Sequence, residues 1–469
     1  MARRAAIIGG GVIGGGWAAR FALMGWEVRV FDPDPEAKRK IAEVMAGAAR
    51  ALPMLYETPM PPLGPISFHA TVAEAVEGAD YIQESVPERL DLKHKVYAEI
   101  QKTASDSAVL ASSTSGFKPS ELQEDAARPG QIIVAHPFNP VYLLPLVELV
   151  PGPQGAREIV TTARSILTEI GMFPLHVRAE IDAHIADRFL EAVWREALWL
   201  VKDGIATTEE IDNAIRYGFG LRWAQMGLFE TYRVAGGEAG MRHFMAQFGP
   251  ALEWPWTKLM DVPEFTDELV DLIAGQSDAQ SGHLSIRALE RLRDDNLVAI
   301  LRALKGQEAG AGKLIADHDA QMRAPLEESV PLVTVRRVVP VDWTDVNGHM
   351  NEGRYGQVFS DASEELMIHV GADRDYIDAG HSYFTAETNI KYLSETHAGE
   401  AIFVETKVLL GEGKKLRLWH EMKHAQDGEL LATCDQFLLH VSLDTRRSCP
   451  PLNHVRDRVE HLARMHAEA

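Results

Sequence analysis

Ala5-Ala6-Ile7-Ile8-Gly9-Gly10-Gly11-Val12-Ile13-Gly14 opens the chain with an apolar run that breaks into glycines and then resumes with helical spacing. The glycines satisfy G-x-G-x-x-G, and the flanking residues give the match its weight. Ala5–Ile8 predicts a strand, Gly15–Met24 predicts a helix, and a second strand-like run, Glu27–Phe31, ends at Asp32, 18 residues beyond Gly14. In this pattern Gly9 permits a tight turn, Gly11 lets the backbone approach a pyrophosphate, and Gly14 allows the helix to lie close to the strand. Gly10, Val12 and Ile13 complete the loop, and the helix start offers free N–H groups to phosphates. Asp32 is placed to accept hydrogen bonds from ribose hydroxyls and to repel a 2′-phosphate. The stretch predicts a Rossmann-type α/β domain with NAD, not NADP, as its cofactor.

Further β-rich runs at Tyr81–Glu84, Val109–Ser112 and Ile132–His136 alternate with helical stretches, which predicts βαβ units and a mainly parallel sheet over residues 1–180. Over 181–322 the strand signals vanish and amphipathic patterns such as Ala183–Val201 and Ser285–Leu304 predict an all-α domain. A charged stretch ending at Pro331 reads as a linker, 323–331. Val333–Val341 then alternates like a strand, a helix follows near Arg354–Val370, and strand-like runs fill 383–393, 401–410, 415–424 and 430–443. One helix followed by long antiparallel strands predicts an α+β domain over 332–469, with the helix wrapped by a curved sheet.

The composition excludes several classes. The 469 residues, 46% hydrophobic and 25% charged, are enough for two to four ordinary domains. A net charge of −21 lacks the basic footprint of a nucleic-acid binder. No apolar stretch is long enough for a transmembrane helix. Cys434 and Cys449 are the only cysteines, and neither belongs to a Cys-x-x-Cys pair. They fit a reducing compartment, and neither structural zinc nor another metal is expected. The start, Met1-Ala-Arg-Arg, superficially resembles a signal peptide, but the glycines that follow argue against one, so a cytoplasmic protein is expected.

Five spaced motifs carry a resemblance to the L-3-hydroxyacyl-CoA dehydrogenase family over roughly residues 1–320. They are the fingerprint with Asp32, Pro87-Glu88-Arg-Leu-Asp-Leu-Lys93, Ser113-Thr-Ser115, His136-Pro-Phe-Asn139-Pro140, and Glu148 twelve residues after His136. Oxidising a secondary alcohol needs a base near neutral pKa, which histidine supplies. His136 is therefore the candidate base, and Glu148 the group that fixes its tautomer and stabilises its cation. Ser115 and Asn139 are candidates to hydrogen-bond the hydroxyl or the developing carbonyl. The resemblance implies that Glu88 and Lys93 lie on the cofactor side.

One departure stands out. Where the family usually has an asparagine before an arginine, this chain reads Ala186-Asp187-Arg188. An acid there suits a cationic substrate group better than a thioester, although a solvated Asp187–Arg188 surface pair is an equal alternative. The helical segment also holds Trp194, Trp199, Trp223, Trp254 and Trp256. Aromatic faces hold quaternary ammonium groups, which makes Trp194, Trp223, Phe229 and Tyr232 candidate substrate contacts. Filling helix–helix and dimer interfaces is the plainer use of most such tryptophans.

The C-terminal part resembles a hot-dog-fold thioesterase through Asp345-Val-Asn347-Gly348-His349-Met-Asn351. Thioester hydrolysis needs a carboxylate to attack or activate water, and donors for the oxyanion. Asp345 is the candidate for the first role; Asn347 and His349 are candidates for the second. An Asx-turn leading into the helix would explain the Asp and Asn alone.

The domain order, Asp187 and the aromatic helical segment resemble a family of fused carnitine-oxidising dehydrogenases and thioesterases. That resemblance implies NAD-dependent oxidation of L-carnitine to 3-dehydrocarnitine, hydrolysis of betainyl-CoA to glycine betaine and CoA, and a homodimer. A 3-hydroxyacyl-CoA dehydrogenase fused to a generic acyl-CoA thioesterase is the first alternative. The second is a dehydrogenase carrying a non-catalytic hot-dog assembly module.

Overall fold

A computed structural model describes residues 3–235, 240–248, 257, 264, 266–281, 283–323, 326–345 and 347–468. Trp254 and Trp256 lie outside them. The chain folds as two compact units: Met1–Leu52 with Pro61–His318, and Pro53–Met60 with Asp319–Ala469. Among the described residues, no helix is long and apolar enough to cross a membrane.

The first unit is built on eight strands: β1 Arg4–Ile8, β2 Glu27–Phe31, β3 Ile66–Phe68, β4 Tyr81–Glu84, β5 Val109–Ser112, β6 Ile132–Pro137, β7 Leu146–Val150 and β8 Phe173–His176. Their order is β3-β2-β1-β4-β5-β6-β7-β8. Ala5, Ala6, Ile7 and Ile8 of β1 are fully buried, as expected for a central strand covered on both faces. The Val12–Leu23 helix seals one face with Trp17 and Phe21, both fully buried and close-packed on Tyr81 of β4. Each such ring contributes about 1.5–3 kcal/mol on burial.

All neighbouring strands run parallel except β6 and β7, which pair antiparallel. That exception sets His136 directly opposite Glu148 in the register. Residues opposite one another on such a pair share a face, with Cβ atoms about 4.5–5.5 Å apart. The twelve-residue spacing of the two is therefore a consequence of this pairing. Helices follow at Ala186–Lys202, Thr208–Ala214, Gly220–Ala235, Gly240–Phe248, Asp267–Ser281, Ile286–Gly306 and Gly310–Met322.

The second unit has a sheet of β9 Leu332–Val338, β10 His381–Tyr392, β11 Ala401–Glu412, β12 Lys415–His424 and β13 Leu430–Ser442, ordered β10-β13-β12-β11-β9. All of these pairs are antiparallel. The Glu352–His369 helix packs on this sheet through Tyr355, Val358, Phe359, Ala362 and Leu366, an i, i+3, i+4 stripe. A second helix, Asn453–Ala467, covers Val408, Leu416, Leu418 and Leu438 with Val455, Val459 and Leu462. The Pro53–Met60 segment joins this unit because its polar groups find partners there. Glu57 and Thr58 donate backbone N–H bonds to the Asp319 carboxylate, and Val338 donates to the Glu57 carbonyl at 2.9 Å. Arg337 reaches Glu57 at 3.0 Å and Asp361 at 2.7 Å.

Candidate active sites

Gly9 adopts φ +102°, a conformation that side chains disfavour, and a Cβ on Gly14 would lie 1.8 Å from the Gly9 carbonyl oxygen. The turn is thus closed to any larger residue. At Gly11 a Cβ would meet nothing within 4 Å, so the backbone there borders open space. Gly11 is the N-cap of the Val12–Leu23 helix and provides no capping side chain, which leaves the helix-start N–H groups for a ligand. Asp32 accepts from Gly10 N at 2.5 Å and from Asp34 N at 2.7 Å, fixing its carboxylate beside the loop. Two lone pairs per carboxylate oxygen leave it room for ribose hydroxyls. These features fit a dinucleotide.

Beyond them lies a buried network that the motifs did not disclose. Glu84, at the end of β4, is fully buried and receives Lys93 Nζ at 2.8 Å, Tyr97 OH at 2.6 Å and Ser112 Oγ at 2.7 Å. The Lys93 side chain is 1% exposed and also meets Glu88 at 3.2 Å, while Glu88 is 46% exposed. Thr114 Oγ1 donates to Glu88, as does Gly116 N. Burial alone would raise the Glu88 carboxyl, but these donors and the Lys93 charge hold it below its ordinary value. Lys93→Met should cost about 3–5 kcal/mol of stability, because it leaves the Glu84 charge buried without its cation. Urea unfolding monitored by tryptophan fluorescence checks this.

His136 lies at the end of β6, 5% exposed. Its Nδ1 meets Glu148 Oε2 at 3.1 Å, and its Nε2 faces Ser115 Oγ at 3.3 Å. The other Glu148 oxygen accepts from Ile185 N at 2.8 Å and Ala186 N at 2.9 Å, at the start of the Ala186–Lys202 helix. Burial pushes the Glu148 carboxyl up, but the His136 hydrogen bond and these two N–H donors outweigh it and hold the group below its ordinary value. Asp187, in the first turn of that helix, places Oδ2 3.6 Å from His136 Nε2. Burial raises the Asp187 carboxyl, against the smaller lowering pull of His136. Asn139 follows in the loop after β6 and is exposed.

Sequence reasoning missed His184. It is fully buried, donates from Nε2 to the Thr114 carbonyl at 3.2 Å, and sits 5.5 Å from the His136 ring. Burial is the main cause that lowers its pKa, so it remains neutral at pH 7. The backbone signal is a pair of left-handed residues, Ala183 at φ +59° and His184 at φ +49°, which sequence periodicity does not announce.

The aromatic candidates are spread out. Trp194 is 56% exposed and Phe229 72%. Trp223 packs on Phe219 at 4.7 Å, Tyr232 stacks on Phe244 at 4.5 Å, and Trp199 lies under Lys202. Among the described residues, the rings in contact with His136 are Phe138 and His184.

In the second unit, Asp345 is exposed at a turn completed by Gly348 at φ +81°. Its Oδ1 accepts from Asn347 N at 2.8 Å and from His349 N at 3.4 Å. The Asn347 bond is the main cause that lowers the Asp345 pKa. The Asn347 side-chain amide lies 3.5 Å from Asp345 Oδ2. His349 Nδ1 meets Glu395 at 3.2 Å, and its ring contacts His397 edge-on. Asn351 caps the Glu352–His369 helix by accepting from Gly353 N. Asp345, Asn347 and His349 are thus brought together one turn before a helix start.

Family models match in three places. The 3-hydroxyacyl-CoA dehydrogenase NAD-binding domain matches residues 4–181, and the C-terminal domain of the same family matches 184–266. The thioesterase-like superfamily matches 339–459. Among solved structures, the NAD-dependent 5-formyl-3-hydroxy-2-methylpyridine 4-carboxylic acid 5-dehydrogenase is 26% identical with a TM-score of 0.55, covering 65% of this chain and 99% of its own. The L-carnitine dehydrogenase of Pseudomonas putida is 52% identical over 66% of this chain and 97% of its own. The L-carnitine dehydrogenase/betainyl-CoA thioesterase of Agrobacterium fabrum is 60% identical over 94% of this chain and 91% of its own. The protein of that name from Ruegeria pomeroyi is 65% identical over 99% of this chain and 96% of its own. With both catalytic units matched along their length, the chain belongs to the family of fused L-carnitine dehydrogenase/betainyl-CoA thioesterases.

Proposed function

We propose that the first unit oxidises L-carnitine to 3-dehydrocarnitine with NAD, and that the second hydrolyses betainyl-CoA to glycine betaine and CoA. The observation that carries this reading is the 65% identity to a bifunctional relative along both units. The geometry supplies a way for each reaction to proceed. His136 Nε2 takes the hydroxyl proton. Glu148, fixed by two helix-start N–H groups, orients the ring and stabilises the imidazolium. Ser115 and Asn139 hydrogen-bond the substrate oxygen as it becomes a carbonyl. The glycine turn, the helix start and Asp32 would hold NAD, with Glu88 and Lys93 bordering its site; the cofactor would supply the hydride acceptor for C3.

In the second unit Asp345 carries the negative charge that attacks the thioester carbonyl or draws a proton from water. The Asn347 amide and His349 are the donors for the oxyanion.

The reading includes a homodimer in the cytoplasm. Among the described residues β10 pairs only with β13 in the sheet order, and Phe384 and Tyr392 along it, with Leu393 just beyond its end, are exposed. An edge of this length is a template for a second copy. Phe189, Leu190, Val193 and Trp194 form a comparable exposed patch on the Ala186–Lys202 helix. Both cysteines are free, which suits a reducing compartment.

The test is one assay plate. Purified protein with NAD is offered L-carnitine, D-carnitine, 3-hydroxybutyrate and 3-hydroxybutyryl-CoA while NADH absorbance is followed; thiol release is followed from betainyl-CoA, acetyl-CoA and butyryl-CoA. L-Carnitine and betainyl-CoA should be the preferred substrates. A preference for 3-hydroxybutyryl-CoA would favour an acyl-CoA dehydrogenase instead. NADP should support turnover poorly; equal use of both cofactors would remove the role given to Asp32.

A further inference from the structure

Resting on that reading of the first unit, we propose that Asp187 is the counter-ion that allows His136 to accept a proton beside a cationic substrate. The need for one follows from elementary electrostatics. In L-carnitine the quaternary nitrogen is bonded to C4, next to the hydroxyl-bearing C3, so it lies within about 3–4 Å of the hydroxyl oxygen in every staggered rotamer. When His136 removes the hydroxyl proton, its ring becomes a second cation one hydrogen bond from that oxygen. Two positive charges about 5 Å apart at an effective dielectric of 20 oppose the transfer by roughly 10²-fold. A histidine base is therefore disadvantaged by this class of substrate in a way it is not by a neutral hydroxy acid.

Glu148 does not remove the difficulty. It sits on Nδ1, the ring nitrogen turned away from the substrate, and both of its oxygens are already committed. Asp187 is on the other side. Its Oδ2 is 3.6 Å from Nε2, the nitrogen that also faces Ser115. The Asp187 side chain is 19% exposed and the His136 side chain 6%, so solvent screens the pair only partly. One carboxylate thus stands on each ring nitrogen, and the Asp187 carboxylate is the one on the nitrogen that faces Ser115. It attracts the onium in the bound state and the imidazolium as it forms, so part of its effect appears only as the proton moves.

The experiment compares L-carnitine with (S)-3-hydroxy-5,5-dimethylhexanoate, in which carbon replaces the quaternary nitrogen and the spatial arrangement is kept (the descriptor changes because the carboxymethyl group then outranks the neopentyl-type arm). Asp187→Asn preserves the side-chain outline and removes the charge. It should lower kcat for both substrates by up to roughly 10²-fold, because the imidazolium forms with either, and should raise KM roughly 10-fold for L-carnitine alone, because only that substrate loses an attraction to the carboxylate. Unchanged NADH affinity and melting temperature show that the variant is folded. A KM that changes equally for both substrates would assign Asp187 a structural role, and full activity on carnitine would remove any role; either overturns the proposal. If wild-type protein does not oxidise carnitine, the proposed function fails and this inference with it. If it does, and Asp187→Asn is as active as the parent, only the counter-ion is lost.

Discussion

His136→Ala is expected to lower kcat for L-carnitine oxidation by about 10²- to 10⁴-fold, the usual contribution of a positioned general base. The loss should appear in kcat more than in KM, because the ring acts on the proton in flight. Thioester hydrolysis by the same preparation should be unchanged, since Asp345, Asn347 and His349 belong to the other unit. The cavity left by the ring is lined by Phe138 and His184, and Glu148 retains two backbone donors, so the variant should fold. Near-parental oxidation in a variant that binds NADH normally would take the base role away from His136. NADH absorbance and thiol release, measured on one sample, decide the matter.

Asp345→Ala should do the reverse. Hydrolysis of betainyl-CoA is expected to fall by at least about 10²-fold while carnitine oxidation persists. Asp345 is exposed and its hydrogen bonds shape one turn, so its removal costs little elsewhere. Asp345→Asn is the sharper control, because it keeps an acceptor for the Asn347 N–H and loses only the charge. If Asp345→Asn hydrolyses betainyl-CoA at the parental rate, the turn is a structural device and the unit works through another group, or serves assembly. Hydrolysis indifferent to the trimethylammonium would make it a general thioesterase.

The legibility of this chain follows the range of its interactions. The glycine turn, Asp32 and the strands of the parallel sheet are local, so spacing alone announces them. The His136–Glu148 pair is also legible, but its reason is not: it depends on β7 running antiparallel to β6, and β7 is too short and too buried to show a period. β3 and β8, of three and four residues, escape because they are short and only partly buried, with no apolar run to mark them. Glu84 and His184 are invisible because an acid in an apolar run and a histidine before a helix look ordinary until their partners arrive from other elements of the fold. The Asn453–Ala467 helix carries a regular apolar stripe, yet it follows four long strands whose alternation dominates that part of the sequence. The aromatic residues of the helical segment show the opposite limit. Their composition suggests a cage, but exposure in one chain places Trp194 and Phe229 on its surface.

The small excursion of Pro53–Met60 bears on how such a gene can be dissected. A thioesterase gene piece begun at the linker would encode every strand of the second sheet and still omit Glu57 and Thr58. Arg337, only 10% exposed along its side chain, would keep Asp361 and lose its second acid, and the Val338 N–H would lose the Glu57 carbonyl that accepts from it. The fusion is therefore more than end-to-end joining. Eight residues encoded early in the reading frame complete a module encoded at its end. Separating the two activities into independent polypeptides would require grafting that segment or redesigning its seat, which a single cut does not provide.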